Sequence, residues 1–251
     1  MTALRARRTL TALAALASAV AIGVGVPSPA SAATTLTSGI PVTSSASPGA
    51  YTVTTSRPYW SVVGVKPPSG ADYDLTVSPG ASSLAGGSTV DFIGIDTNLC
   101  AGATRSATVN RFAGTGAYTV EFSDPARTLT VEPLPFPDHN VHIESIFGPG
   151  IGEPGHFIGV VDVYLVAGRR TELYAAHVGG SPGDVYVMAP DPARCGRAPG
   201  SALVHGQVNS GGHRSVTLTF TPTRTGWYGL IQTSYGADPQ SGYSSLRIGQ
   251  A

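Results

Sequence analysis

The chain has 251 residues, of which 32 are glycine and 20 are proline, with 12% charged residues and a formal net charge of zero. Glycine and proline together make up about a fifth of the chain, against a typical share of about 12%, which excludes a helical bundle or a coiled coil. With 41% hydrophobic residues and only two cysteines, the chain is neither a disordered tail nor a disulfide-dense mini-protein.

The first 32 residues have the order of a secretory signal. Positive residues up to Arg8 precede an uncharged apolar run from Thr9 to Val26, and Ala30-Ser31-Ala32 supplies small residues for signal peptidase. We predict cleavage after Ala32 and an extracellular mature protein; an uncleaved membrane anchor is the alternative, since 18 residues can just span a bilayer. The remaining chain would carry a formal charge of −3, which favours neither nucleic acid nor an anionic membrane surface as a partner.

Residues 33–50 are rich in Thr, Ser, Pro and Gly and are interpreted as a flexible leader. From Tyr51 onwards, apolar and polar residues alternate with period two, and Gly and Pro punctuate the runs about every ten residues. This pattern predicts β-strands in an all-β sandwich or barrel. The predicted strands are 51–55, 72–77, 89–96, 106–112, 117–123, 127–134, 141–146, 156–166, 171–178, 184–188, 202–208, 215–221, 227–234 and 245–248.

An internal repeat divides the predicted strands into two halves. Val62-Val63-Gly64-Val65 recurs as Val160-Val161-Asp162-Val163, and Gly116-Ala117-Tyr118 resembles Gly226-Trp227-Tyr228. We therefore predict two tandem antiparallel β-sandwich domains, 51–132 and 140–250, joined by a proline-rich linker at 133–139.

Each half contains one cysteine at an equivalent place. In a secreted chain, two cysteines are expected to pair, which predicts a Cys100–Cys195 disulfide between the domains. The alternative is a pair of buried free thiols.

Three segments of the first half resemble a known family. Tyr59-Trp60-Ser-Val-Val-Gly-Val, Gly70-Ala-Asp72-Tyr73-Asp74-Leu75 and Gly116-Ala117-Tyr118-Thr-Val are similar to the bacterial pre-peptidase C-terminal domain. The second half keeps the last segment but has Arg169-Arg170-Thr-Glu-Leu in place of the acidic strand. The resemblance implies small jelly-roll-like sandwiches that serve a secreted protein in substrate binding or export.

Two glycine-rich motifs lack the local structure that catalysis or nucleotide binding needs. Gly179-Gly180-Ser181-Pro182-Gly183 fits G-x-S-x-G, but a strand follows it instead of the helix of a nucleophile elbow. Gly150–Gly155 fits G-x-G-x-x-G but runs into Pro154 and a predicted strand, where a dinucleotide site needs a helix N-terminus. Both motifs are interpreted as loops.

Carboxylates and aromatic residues supply the candidate ligand sites. Asp72 and Asp74 are two residues apart on one strand face and could bind calcium, which is the candidate cofactor. His142 and Glu144 supply only two zinc ligands locally. Tyr235 and Tyr243 flank a predicted loop and are candidate binding residues; other aromatic residues, such as Trp60 and Tyr118, are expected to be buried.

No catalytic constellation emerges from these motifs. The predicted function is therefore a secreted, non-catalytic binding or accessory protein whose partner is an extracellular protein or polysaccharide. Two alternatives stay open at this point: a hydrolase with a site in the cleft between the domains, involving His142, and a protease inhibitor presenting the loop 148–155.

Overall fold

The protein is nearly all β-structure, as the periodicity predicts. The computed structural model describes residues 32–56, 59–83, 90–100, 102–124, 127–136, 156–178, 182–208, 215–235 and 243–251. Its helical segments are α1 (Thr97–Cys100) and a 3-10 turn at Pro199–Ser201. The strands are β1 (Thr34–Thr35), β2 (Val42–Ser44), β3 (Gly49–Thr54), β4 (Trp60–Lys66), β5 (Asp72–Ser78), β6 (Ala81–Ser83), β7 (Asp91–Asp96), β8 (Thr104–Ala113), β9 (Tyr118–Ser123), β10 (Thr128–Leu129), β11 (Val131–Pro133), β12 (Ile158–Leu165), β13 (Thr171–Val178), β14 (Gly183–Met188), β15 (Gly196–Arg197), β16 (Val204–Val208), β17 (Ser215–Phe220), β18 (Gly226–Ser234) and β19 (Tyr243–Gln250).

These strands form four sheets. Sheet I has the order β1-β3-β8-β5-β6, sheet II β15-β7-β4-β9-β2, sheet III β10-β12-β18-β14-β16 and sheet IV β11-β19-β13-β17. In chain order, β2 to β9 alternate between sheets I and II in the manner of a jelly roll, except that β6 stays in sheet I and pairs with β5. From Ala32 to Ala251 the chain is one compact unit.

Three apolar layers hold the four sheets together. Sheets I and II enclose one core, which includes Tyr73 and Phe122, and sheets III and IV enclose a second, which includes Leu173 and Leu230. A third cluster packs sheet II against sheet III. Its members are Trp60, Val62, Val90, Phe92, Phe157, Ile158, Val160, Met188 and Ile231.

The two middle sheets are buried on both faces, which explains their unusual sequences. Every residue of β7 is buried, and β4 is buried from Trp60 to Val65. A strand covered on both sides loses the alternation of apolar and polar residues and reads as a continuous apolar run. The Val62-Val63-Gly64-Val65 run and its counterpart in β12 follow from this position in the fold.

Glycines bring sheets II and III close together. A Cβ atom at Gly64 would lie 2.8 Å from Ile158 Cδ1, and one at Gly229 would lie 2.7 Å from Trp60 Cγ. The Trp60 ring rests against Gly229, and its position is fixed at both ends: the backbone amide donates to Asp162 Oδ1 (2.9 Å) and the indole Nε1 to the Trp227 carbonyl (3.0 Å).

Buried hydrogen bonds to Glu121 fasten the same two sheets. Glu121 Oε1 on β9 lies 2.7 Å from His156 Nδ1, and Glu121 Oε2 accepts a hydrogen bond from the Phe157 amide at 3.1 Å. Burial raises the pKa of Glu121, against the opposing effect of its bond to His156. Buried polar groups are stable in a protein interior when they are hydrogen-bonded in this way.

Strands related by the sequence repeat share part of their arrangement. β4 pairs with β9, as β12 pairs with β18, and the turn glycines Gly70 and Gly168 both have φ = 77°. The third strand differs, because β7 lies beside β4 whereas β14 lies beside β18. The repeat therefore preserves the strand pair and not the strand order, and the division into tandem domains stays a prediction.

The predicted flexible leader is wrong. Residues 33–50 contain β1, β2 and the start of β3, and Leu36 is buried in the core between sheets I and II. Strands of two or three residues show no periodicity of their own; they form because β3 and β9 present open hydrogen-bonding edges to them.

The four sheets also do not follow the predicted boundary between the two halves of the chain. β10 precedes the predicted linker and belongs to sheet III. β11 overlaps the first residue of the linker and belongs to sheet IV. In the opposite direction, β15 from the second half pairs with β7 and completes sheet II. Backbone pairing between residues about a hundred positions apart leaves no local signal in the sequence.

Candidate functional site

Three aromatic rings cluster where the interface between sheets II and III reaches the surface. Tyr59 precedes β4, Trp227 is the second residue of β18, and Tyr164 is its cross-strand neighbour on β12. The Trp227 ring lies 4.1 Å from that of Tyr59 and 5.4 Å from that of Tyr164, measured between centroids. Tyr164 is 47% exposed and the other two rings are half-buried. We call these three residues the aromatic patch.

The backbone of Tyr59 is held in an unfavourable conformation. Its φ of 137° is the only positive value at a non-glycine position among the described residues, and such strain costs about 1–3 kcal/mol. Thr97 maintains it: the Tyr59 amide donates to Thr97 Oγ1 (2.6 Å), and that hydroxyl donates to the Tyr59 carbonyl (2.8 Å). Strained residues of this kind cluster at active sites and ligand sites, and they persist only where the surrounding contacts fix their conformation.

An open groove adjoins the aromatic patch. It has a volume of about 340 Å³ and lies between the end of β7 and the start of β18. Its lining residues come from both halves of the chain: Asp96, Asn98, Pro190, Asp191, Pro192, Arg224, Thr225, Gly226 and Trp227. A second pocket of about 360 Å³ lies on the other side of Asp191 and is lined by Arg194, Arg197 and Ser82 among others.

The two carboxylates of the groove have different environments. Asp191 accepts hydrogen bonds from the Ala193 amide (3.0 Å) and from Arg197 (2.7 Å). The Ala193 amide, and then the nearby guanidinium groups, hold the pKa of Asp191 below its usual range. Asp96 is 1% exposed, and burial raises its pKa although the Asn98 amide donates to Oδ1. Asp191 is therefore ionised at neutral pH and engaged in contacts within its own loop.

Asp72 and Asp74 share the outer face of β5, as predicted. Both are half-buried, and their carboxylates point away from the core. Burial, and then repulsion from Asp72, raises the pKa of Asp74. Within the described residues no group of three or more His, Cys, Asp or Glu is placed to hold a metal ion, so a calcium site here stays a prediction that needs further oxygen ligands.

Of the two predicted binding tyrosines, the structure describes the side chain of Tyr235 only. Tyr235 is half-buried against the cluster between sheets II and III, and its hydroxyl donates to Asp184 Oδ2. Tyr186 donates to the same oxygen at 2.9 Å. Tyr235 therefore belongs to an internal hydrogen-bond network, contrary to its prediction as an exposed loop residue. Tyr243 begins β19, and its side chain lies outside the described part.

The predicted disulfide is not present in the structure. Cys195 is a half-buried free thiol, whereas the side chain of Cys100 lies outside the described part. The two cysteines do sit on neighbouring segments, because the Asp96 amide donates to the Cys195 carbonyl at 2.7 Å and α1 follows Asp96 directly. The pairing therefore stays a prediction.

Several sequence motifs fall outside the described residues. They include the His142–Glu144 pair, the loop 148–155 and the serine of the G-x-S-x-G motif, Ser181. Sequence reasoning chose Tyr235 and Tyr243 as binding candidates and expected other aromatic side chains to be buried, so it missed the aromatic patch and the groove. Tyr164 is the one exposed residue of β12, whose other residues are buried. A large aromatic residue near the end of an apolar strand is the signal that could have indicated it.

Known proteins were compared with the chain. No family model and no curated protein matches it. Among solved structures, one match is the surface-associated copper-binding protein CorA of Methylomicrobium album BG8, with 11% identity and a TM-score of 0.30, covering 38% of this chain and 82% of the other.

Two others match over more of this chain. The tandem CBM22-1–CBM22-2 domain of Paenibacillus barcinonensis Xyn10C has 11% identity and a TM-score of 0.27, covering 80% of this chain and 82% of the other. The stem and receptor-binding domain of spike protein P1 from bacteriophage PM2 has 9% identity and a TM-score of 0.22, covering 84% and 96%. These similarities assign neither a ligand nor an activity to this chain.

None of the helices in the described ranges has the length and apolar character needed to cross a membrane.

Proposed function

We propose that this chain is a secreted, non-catalytic protein that binds an extracellular polysaccharide through the aromatic patch and the adjoining groove. The observation that carries the proposal is the cluster of Tyr59, Tyr164 and Trp227 beside polar groups that line an open groove. Secretion rests on the signal-like order of residues 1–32.

Sugar rings suit such a surface. The C–H face of a pyranose is apolar and packs flat against an aromatic ring, while its hydroxyls need hydrogen-bonding partners around the edge. Trp227 supplies an aromatic ring at the groove, and the exposed side chain of Asn98 lines the same groove. Rigid aromatic side chains also lose little conformational entropy on binding, which makes them efficient contact residues.

The carboxylates of the groove favour binding over catalysis. Asp191 is occupied by Arg197 and the Ala193 amide, and Asp96 receives the Asn98 amide at the start of α1. An acid–base pair needs groups that are free to exchange protons with the substrate. The groove also lies open on the surface, which lets a polymer continue past the site on both sides.

Affinity electrophoresis in gels containing soluble polysaccharides tests the proposal. The polymer that retards the wild type should bind Trp227→Ala at least about tenfold more weakly, corresponding to about 1.4 kcal/mol. The variant keeps the hydrogen bond from the Trp60 indole, because the acceptor is the backbone carbonyl of residue 227 and not its side chain.

Phe112→Ala is the matched control. Phe112 is 74% exposed on β8, in sheet I, and lies outside the groove. The Phe112→Ala variant should bind as the wild type does, and both variants should keep the wild-type circular dichroism spectrum. Equal retardation of Trp227→Ala and Phe112→Ala, or no retardation by any polymer in a broad panel, would contradict the proposed function.

A further inference from the structure

We infer that the polysaccharide is acidic, and that Arg194 and Arg224 bind its carboxylate groups on either side of Asp191. This inference rests on the proposed function and names the class of ligand. Arg224 lines the groove next to Trp227, and Arg194 lines the second pocket.

Three guanidinium groups surround one carboxylate at this place. Arg197, Arg224 and Arg194 all act electrostatically on Asp191. Only Arg197 is committed to contacts within the protein: its NH1 donates to Asp191 at 2.7 Å, and its Nε and NH2 donate to Ser201 Oγ and Ser201 O, both at 3.2 Å. The Arg197–Asp191 pair is thereby neutral.

The other two arginines remain available. Arg194 and Arg224 are exposed, and within the described ranges neither side chain has an ion-pair or hydrogen-bond partner. The acidic group of the groove other than Asp191 is Asp96, which is 1% exposed, so the three guanidinium groups of the two pockets face at most two carboxylates. The two pockets are therefore a positive region on a chain whose residues after Ala32 are formally negative by three charges.

A uronate combines the two features that this surface recognises. Its ring can stack on Trp227 while its carboxylate reaches the neighbouring Arg224, since both groups belong to one sugar unit. A guanidinium binds a carboxylate with two parallel hydrogen bonds. The second pocket, beyond Asp191, offers Arg194 to a further unit of the same chain. A polymer of glycerol phosphate would supply the anion without a ring for Trp227.

Matched polymers separate charge from shape. Isothermal titration calorimetry would compare polygalacturonate with its fully methyl-esterified form, which has the same backbone and no charge; alginate and hyaluronate extend the panel of uronates. At least one uronate polymer should bind about tenfold or more tightly than a neutral polymer such as the ester, and its affinity should fall as salt rises from 50 to 500 mM.

Substitutions locate the charge recognition. Arg194→Gln and Arg224→Gln should each weaken binding of the uronate at least about fivefold and should weaken binding of the ester by a smaller factor. Arg111→Gln is the control, since it removes the same charge from an exposed position on β8 in sheet I, outside both pockets. It should bind like the wild type.

The outcomes distinguish this inference from the proposed function. Binding of a neutral polymer that depends on Trp227, with no preference for any uronate, would overturn the acidic ligand and leave the binding function standing. An equal loss in the Arg111 variant would also overturn it, because attraction would then come from overall charge. If no polymer of either kind binds, the proposed function itself fails.

Discussion

Replacing Gly229 with alanine tests how sheets II and III are joined. The new Cβ atom would lie 2.7 Å from both Cγ and Cδ2 of Trp60. Carbon atoms in contact are about 3.5–4.0 Å apart, so the overlap is about 1 Å. Trp60 cannot retreat easily, because it is 2% exposed and is bonded to Asp162 and to the Trp227 carbonyl.

The expected loss of stability follows from this overlap. Forcing one extra carbon into a packed core costs about 1–3 kcal/mol. For a chain of about 150–250 residues, each kcal/mol lowers the melting temperature by about 2–4 °C, so the variant should melt about 2–12 °C lower. Gly200→Ala is the control, since a Cβ there meets nothing within 4 Å; it should be neutral or slightly stabilising, because alanine lowers the entropy of the unfolded chain.

Thermal unfolding followed by far-ultraviolet circular dichroism measures both variants. A double-mutant cycle adds Trp60→Ala, which removes Cγ and Cδ2, the two atoms that the new methyl group strikes. In that background Gly229→Ala should cost much less than in the wild type, giving a coupling free energy of about 1 kcal/mol or more. The reasoning is refuted if Gly229→Ala melts at or above the wild-type temperature, or if the two substitutions are additive.

Three further measurements address other parts of the molecule. Burial raises the pKa of Asp184 in the folded protein, so protonated Asp184 contributes its full stabilisation below about pH 4, and this contribution is lost as pH rises through the folded pKa. The melting temperature of Asp184→Asn relative to the wild type should therefore rise from pH 4 to pH 7, and a constant difference would contradict this. Arg247 makes two hydrogen bonds to Glu132 (2.7 and 2.5 Å), and Arg247→Lys should lower the unfolding free energy in urea by about 1 kcal/mol, whereas an unchanged midpoint would show that the two-pronged geometry adds nothing. For the predicted disulfide, denatured but unreduced protein should resist alkylation at Cys100 and Cys195, and labelling of either thiol, seen by mass spectrometry, would rule the bridge out.

Local pattern predicts the strands that have one buried face. The strand at Thr171–Val178 was predicted with the same bounds as β13, and β5 alternates between buried and half-buried residues as its sequence indicates. Pattern fails for β1, β2 and β15, whose two or three residues become strands only because another strand offers them hydrogen bonds.

The site is predicted less well than the fold, because its contacts are between distant residues. Trp227 could be recognised as a candidate from its residue type, but Tyr59 reaches it only through the packing of sheet II against sheet III. Tyr235 was placed on an exposed loop, whereas its hydroxyl bonds to Asp184, 51 residues away in the chain. Neither relationship has a periodicity that could be read in advance.

The completion of sheet II by β15 has a consequence for the order of synthesis. A chain made from its N-terminus presents β7 and the apolar outer face of sheet II long before residues 158–197 exist to cover them. An unpaired edge and an uncovered apolar face are the features that invite aggregation in folding intermediates. The N-terminal half therefore exposes an aggregation-prone edge and face until the second half has emerged.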